Sequence, residues 1–265
     1  MSEPGSQTSL DPDDRRRFGE ALRAMSMQQG RLERTLRLLM RVWCRVVDWR
    51  VDVEGMTSLP RLEGGVPGAG CVVAAAPHRA WVEPFLLLSA WPPDAARLVW
   101  LADGRTVTRS WWRRRLLPRL GIIPIEGARS GPRVYAELIA EVLAAGHAVA
   151  IFPEVGPPSA PDRARPMSPG FAYLALRAGA PVIPVVVSGT HRIVRGSRFS
   201  IDGLRAIEVG SPVEDPFTPA GRARAHKLSR RLEMVVAEVL PERTAQADAR
   251  RPGRERWRWL GTLFG

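Results

Sequence analysis

Between Cys71 and Val187 the chain alternates two kinds of segment, and this alternation limits the possible folds more than any other feature. Short apolar runs at Cys71–Ala76, Leu98–Ala102, Ile122–Ile125, Ala148–Phe152 and Val182–Val187 have the length and composition of buried strands. Between them lie stretches of helical character: Phe85–Ala90, Thr108–Leu117, Arg133–Ala145 and Gly170–Ala178. Gly146 and Gly179 stand where two of these helices should stop, because glycine takes the left-handed conformation that closes a helix. Strands apolar on both faces and separated by helices predict an α/β domain with a mixed, largely parallel central sheet flanked by helices. A further strand at Arg205–Val209 and a helix at Arg222–Leu240 are expected to close it.

The flanks differ in character. Residues 1–25 read as a mobile polar tail, 26–55 as an amphipathic helical region, 56–240 as the α/β domain and 241–265 as a basic tail. In Arg31–Arg50, Arg34, Arg37, Arg41 and Arg45 recur at three- and four-residue spacing and so share one helical face. Leu32, Leu36, Leu39, Met40, Trp43, Val46 and Val47 fall largely on the other. Arginines opposite apolar residues, with tryptophan near the end, suit a helix lying in a membrane interface. The same pattern suits a surface helix packed on a core. The tail Arg250–Gly265 interleaves arginine with Trp257, Trp259, Leu260, Leu263 and Phe264, and Ser110–Arg115 reads SWWRRR. Both fit interfacial anchors, and both fit RNA binding through base stacking.

Composition narrows the partners. The formal net charge is +12 over 265 residues, and of 39 Lys and Arg residues Lys227 is the single lysine. Such an excess attracts anionic lipid, phosphorylated substrates or nucleic acid. No known nucleic-acid module is visible, so nucleic acid ranks below a lipid surface as a partner. Cys44 and Cys71 have neither disulfide-framework nor zinc-site spacing, which fits a reducing cytoplasm. The first twenty residues are too polar for a signal peptide, and no apolar run reaches the ~20 residues of a membrane span. The expected location is the cytoplasm, peripherally on the inner face of the membrane.

The chemistry concentrates in AAAPHRAWVEPFLLL, Ala74–Leu88. His78 follows the first strand, where reactive groups gather in an α/β sheet. Pro84 suits the start of the next helix. On one straight helix His78 and Glu83 would point ~140° apart, so they meet only if the chain between them turns. A carboxylate on one imidazole nitrogen would leave the other free to take a proton. One such pair also fits an ordinary loop histidine. His147 reads as a packing residue, His191 as a pocket candidate after a strand end, and His226 as solvated. No glycine-rich nucleotide loop is present.

The segments that follow, GIIPIEGARSG, IFPEVGPPS and APVIPVVVSGT, stand in an order that resembles the glycerolipid acyltransferase family, which includes lysophosphatidic acid acyltransferases. The resemblance covers roughly residues 70–215. PHRAWVEP is similar to the His-x4-Asp motif, IFPEVGPPS to Phe-Pro-Glu-Gly-Thr-Arg-Ser, and VIPVVV to the proline-containing strand of the last motif.

The resemblance implies transfer of a fatty acyl group from a thioester to the hydroxyl of a lysophospholipid or related acceptor. It makes acyl-CoA or acyl carrier protein the donor substrate and requires no cofactor and no metal. His78 would be the general base, oriented by Glu83. Glu154 would bind or order the acceptor, with Pro153, Gly156, Arg129 and Arg163 as further substrate-binding residues. The departures are specific. Glu83 stands for Asp, Pro77 for Asn, Val155-Gly156-Pro157 for Gly-Thr-Arg, and Gly127 for Arg. They leave room for a member with weakened catalysis that binds lipid or acyl chains, or for one acting on a non-glycerophosphate acceptor.

Overall fold

The computed structural model describes residues 34–56, 59, 70–103, 121–125, 131–157, 160–191 and 193–249. In chain order these form helix α1 (34–46), strand β1 (Arg50–Glu54), β2 (Cys71–Ala76), α2 (Glu83–Ala90), β3 (Leu98–Asp103) and β4 (Ile122–Ile125). Then follow α3 (Gly131–Ala144), β5 (Ala148–Ile151), α4 (Gly170–Ala178), β6 (Val182–Ser188), β7 (Arg198–Gly203) and α5 (Pro219–Ala249). The expected helix at Thr108–Leu117 and the tails at 1–25 and 250–265 lie outside the described residues.

The strands make one seven-stranded sheet in the order β1-β7-β6-β2-β5-β3-β4. All neighbours are parallel except β6 and β7, so the sheet is mixed and largely parallel. β2 lies in its middle and is wholly buried. Val72, Ala74 and Ala76 face one core with α3, α4 and α5, while Cys71, Val73 and Ala75 face the other with α2 and the inner side of α1. That alternation is the two-residue period of a strand covered on both faces. Gly179 ends α4 at φ +64, and a Cβ there would lie 2.7 Å from Pro212.

Three readings of the sequence are corrected. The strand expected at Arg205–Val209 is β7 at Arg198–Gly203, and only an isolated bridge joins Ile207 to Val182. Its first four residues alternate half-buried and buried, which gives a weaker apolar signal than a central strand. The N-terminal helix ends before Arg50, and Arg50–Glu54 becomes β1, parallel to β7. Trp49 closes the junction: its ring meets Phe199 edge-on at 5.2 Å and its indole N–H donates to the Val194 carbonyl at 2.8 Å. The last helix runs past Leu240 through Pro241 to Ala249, because Leu228, Leu232, Val236, Leu240 and Thr244 keep one buried stripe.

Helix α1 has three arcs rather than two faces. Met40, Trp43 and Cys44 pack on the core, and Arg37 turns inward to donate to the Trp91 carbonyl at 2.5 Å. Leu38, Leu39, Val42 and Val46 are exposed, at 60%, 58%, 50% and 64%. Arg34, Arg41 and Arg45 are exposed beside them. The apolar arc is wider than the core can cover. No described helix is long and apolar enough to cross a membrane.

Candidate active site

Three adjacent parallel strands, β6, β2 and β5, end on the same edge of the sheet. The residues just beyond them are Thr190, His78 and Glu154. Parallel pairing fixes their approach, since the strand ends are held at neighbouring-strand spacing.

After β2, the Ala76–Pro77 peptide is cis and His78 enters a short loop that ends at α2. Glu83 is the first residue of that helix, directly before Pro84, which lies in its first turn. The loop turns the Glu83 side chain back beneath it. Glu83 Oε2 lies 2.6 Å from His78 Nδ1. The backbone N–H of Arg79 donates to both carboxylate oxygens at 2.9 and 3.0 Å, and that of Ala80 donates to Oε1 at 3.1 Å. The Thr190 hydroxyl donates to Oε1 at 2.5 Å. A fully buried carboxylate needs donors of this kind to offset its lost hydration. The longer glutamate chain is thereby accommodated, with its carboxylate seated over two amides and still in contact with the imidazole.

His78 is held from a second side. Its ring stacks on Phe152 at 4.1 Å and 22°, and Phe152 stacks in turn near Trp100 at 5.7 Å. The imidazole side chain remains 41% exposed. With Nδ1 committed to Glu83, Nε2 is the ring nitrogen left to face a substrate.

Glu154 follows β5 with its side chain buried. The backbone N–H of His78 donates to Oε2 at 3.1 Å, and the backbone N–H of Arg165 donates to Oε1 at 3.2 Å. The Arg165 guanidinium contacts Oε2 through Nε at 2.8 Å and Nη2 at 2.7 Å. Arg165 also donates to the carbonyls of His78 at 2.9 Å and Gly156 at 3.2 Å. Both Glu154 oxygens therefore accept from the protein itself, joining the His78 loop to the segment around Arg165.

Pro153 and Val155 run beside Pro166–Ser168: the Ser168 N–H donates to the Pro153 carbonyl at 2.8 Å, and the Val155 N–H to that of Pro166 at 2.9 Å. Gly156 sits in the open at φ +88. The Arg79 guanidinium donates to the carbonyls of Ala160 at 3.1 Å and Arg163 at 2.9 Å. The structure thus brings His78, Glu83 and Glu154 together, with Pro153, Gly156 and Arg163 in the adjoining segment. Arg129 lies outside the described residues.

Sequence reasoning overlooked Thr190, Phe152 and the backbone of Arg79. A hydroxyl directly past an apolar strand, in SGT, is the signal that marks Thr190. His191 pairs with Asp248 of α5 at 3.2 Å. Among the described residues no group of three or more His, Cys, Asp or Glu side chains is placed to hold a metal ion.

This is the arrangement of an acyltransferase-type α/β domain, and the family model named Acyltransferase matches residues 50–188. The chain belongs to that family. Among solved structures it is similar to the 1-acyl-sn-glycerophosphate (LPA) acyltransferase PlsC from Thermotoga maritima, with a TM-score of 0.55 and 19% identity over 84% of this chain and 88% of that one. That likeness is one of fold. A comparison with curated proteins finds no match.

Proposed function

We propose that the chain transfers a fatty acyl group from a thioester, acyl-CoA or acyl carrier protein, to a hydroxyl of a lysophospholipid or related lipid acceptor. The observation that carries this reading is the 2.6 Å contact between His78 Nδ1 and Glu83 Oε2 beside a half-exposed imidazole. His78 Nε2 takes the proton of the acceptor hydroxyl as its oxygen attacks the thioester carbonyl. The tetrahedral intermediate collapses with loss of thiolate, and the imidazolium returns the proton to the sulfur. The products are an ester and a free thiol. Glu83 holds the tautomer and stabilises the imidazolium, and the scheme calls for no cofactor or metal.

Glu154 serves the acceptor indirectly in this reading. Its carboxylate is occupied by Arg165 and the His78 amide, so it fixes the loops that frame the acceptor rather than the acceptor itself. Pro153, Gly156 and Arg163 belong to the same frame, and Arg129 is proposed with them from the motif alone. Membrane docking, on the inner face, is assigned to the exposed apolar arc of α1 with Arg34, Arg41 and Arg45, which suits an anionic surface.

The test is incubation of the purified protein with labelled acyl-CoA or acyl carrier protein and a panel of lysolipids and glycolipids, with products read by mass spectrometry. An acylated lipid that disappears with His78→Ala is expected. Thioester stability across the whole panel would favour a lipid-binding member with weakened catalysis.

A further inference from the structure

We propose that Thr190 is a positioning residue for the His78–Glu83 pair, holding the glutamate carboxylate at the angle that keeps the imidazole aligned. This rests on the acyl-transfer reading above. The last torsion of a glutamate side chain is broad and weakly restrained on its own, so hydrogen bonds must set the carboxylate plane. Arg79 and Ala80 supply backbone donors from Glu83's own loop. Among the described residues, Thr190 is the donor to Glu83 that comes from a different element.

The hydroxyl is well placed for that task. Thr190 is 4% exposed and Glu83 is fully buried, which leaves little room for water to replace the bond. Its own position is fixed on three sides. β6, which precedes it, pairs parallel with β2, which precedes His78. Gly189, at φ +86, lies so close to the β7 backbone that a Cβ would come within 2.2 Å of the Arg198 carbonyl oxygen. On the other side, His191 is tied to Asp248 of α5. A β-branched side chain on such a backbone has restricted χ1 freedom. The sheet thus sets the hydroxyl, the hydroxyl sets Oε1, and the same carboxylate sets the ring of His78 through Oε2.

Two variants separate positioning from packing. Thr190→Val keeps the shape and removes the hydroxyl, and Thr190→Ser keeps the hydroxyl. The measurements are kcat and KM with an acyl thioester and a lysolipid, and the downfield proton resonance of the His78 Nδ1–H, assigned by its absence in His78→Gln. Thr190→Val is expected to lower kcat by roughly ten- to a hundredfold with KM changed by less than about twofold. Its resonance should shift or broaden, and Thr190→Ser should restore both signals. Wild-type kcat or an unchanged resonance in Thr190→Val overturns the proposal, as does equal loss in the two variants. Should the wild-type protein transfer no acyl group, the acyl-transfer reading fails, and the resonance alone decides the coupling of Thr190 to His78.

Discussion

His78 and Glu83 stand five residues apart and meet at 2.6 Å because the chain between them folds over the glutamate, whose other oxygen receives the Ala80 amide and the Thr190 hydroxyl. The spacing is tuned to a glutamate. Glu83→Asp withdraws the carboxylate by one methylene and cannot keep all of these donors at once. The variant is expected to lose about tenfold or more in kcat, measured on the product ester. A gain in activity would mean that the pair is a relic rather than a working site.

Glu154 and Arg165 form the other hinge of the site. Arg165→Met leaves a buried carboxylate without its ion-pair partner, a change that typically costs about 3–5 kcal/mol. Urea unfolding should show a loss of that order, and acyl transfer should fall with it as the His78 loop loosens. A midpoint within experimental error of the wild type would show that the pair carries no structural role.

The exposed arc of α1 can be changed without touching the core. Leu38→Glu and Val46→Glu alter side chains that are 60% and 64% exposed, so thermal stability should stay within about 0.5 kcal/mol of wild type. Sedimentation with phosphatidylglycerol vesicles should weaken by about tenfold, the scale expected when a large apolar side chain no longer enters the interface. Unchanged vesicle binding would remove α1 from the docking surface.

Much of the fold was legible because the central strands are apolar along their whole length. β2, β4 and α4 occupy the ranges their composition predicts, and β2, covered on both faces, has no polar residue to blur its limits. β1 and β7 were not legible for the opposite reason: RVDVE and RFSIDG carry charges, and β1 is an edge strand largely open to solvent. The site divides in the same way. His78 and Glu83 belong to one local turn and could be read together. Arg165 reaches the His78 carbonyl across 87 residues and Thr190 reaches Glu83 across 107. Only the parallel order of β5, β2 and β6 brings those segments together, and no local pattern encodes it.

His147, just before β5, gives the protein a predictable acid response. Burial, followed by the positive charge of Arg97, lowers its pKa below the ordinary value. In the unfolded chain the ring takes up its proton near pH ~6.5, so below that pH the unfolded state binds more protons than the folded one. The stability from this group is present above the unfolded pKa and is lost as pH falls through the folded pKa. His147→Gln should flatten the decline of the urea midpoint between about pH 7 and pH 5. Equal slopes for the two proteins would contradict this.

The central claim, that His78 is the base of an acyl transfer, is tested most directly by one rate. Release of free thiol from an acyl thioester, in the presence of a lysolipid acceptor, is compared between wild type and His78→Gln. The side chain is 41% exposed, so the variant should keep the wild-type melting temperature while the rate falls by about two to four orders of magnitude. A folded His78→Gln protein that releases thiol and forms ester at the wild-type rate would contradict the account.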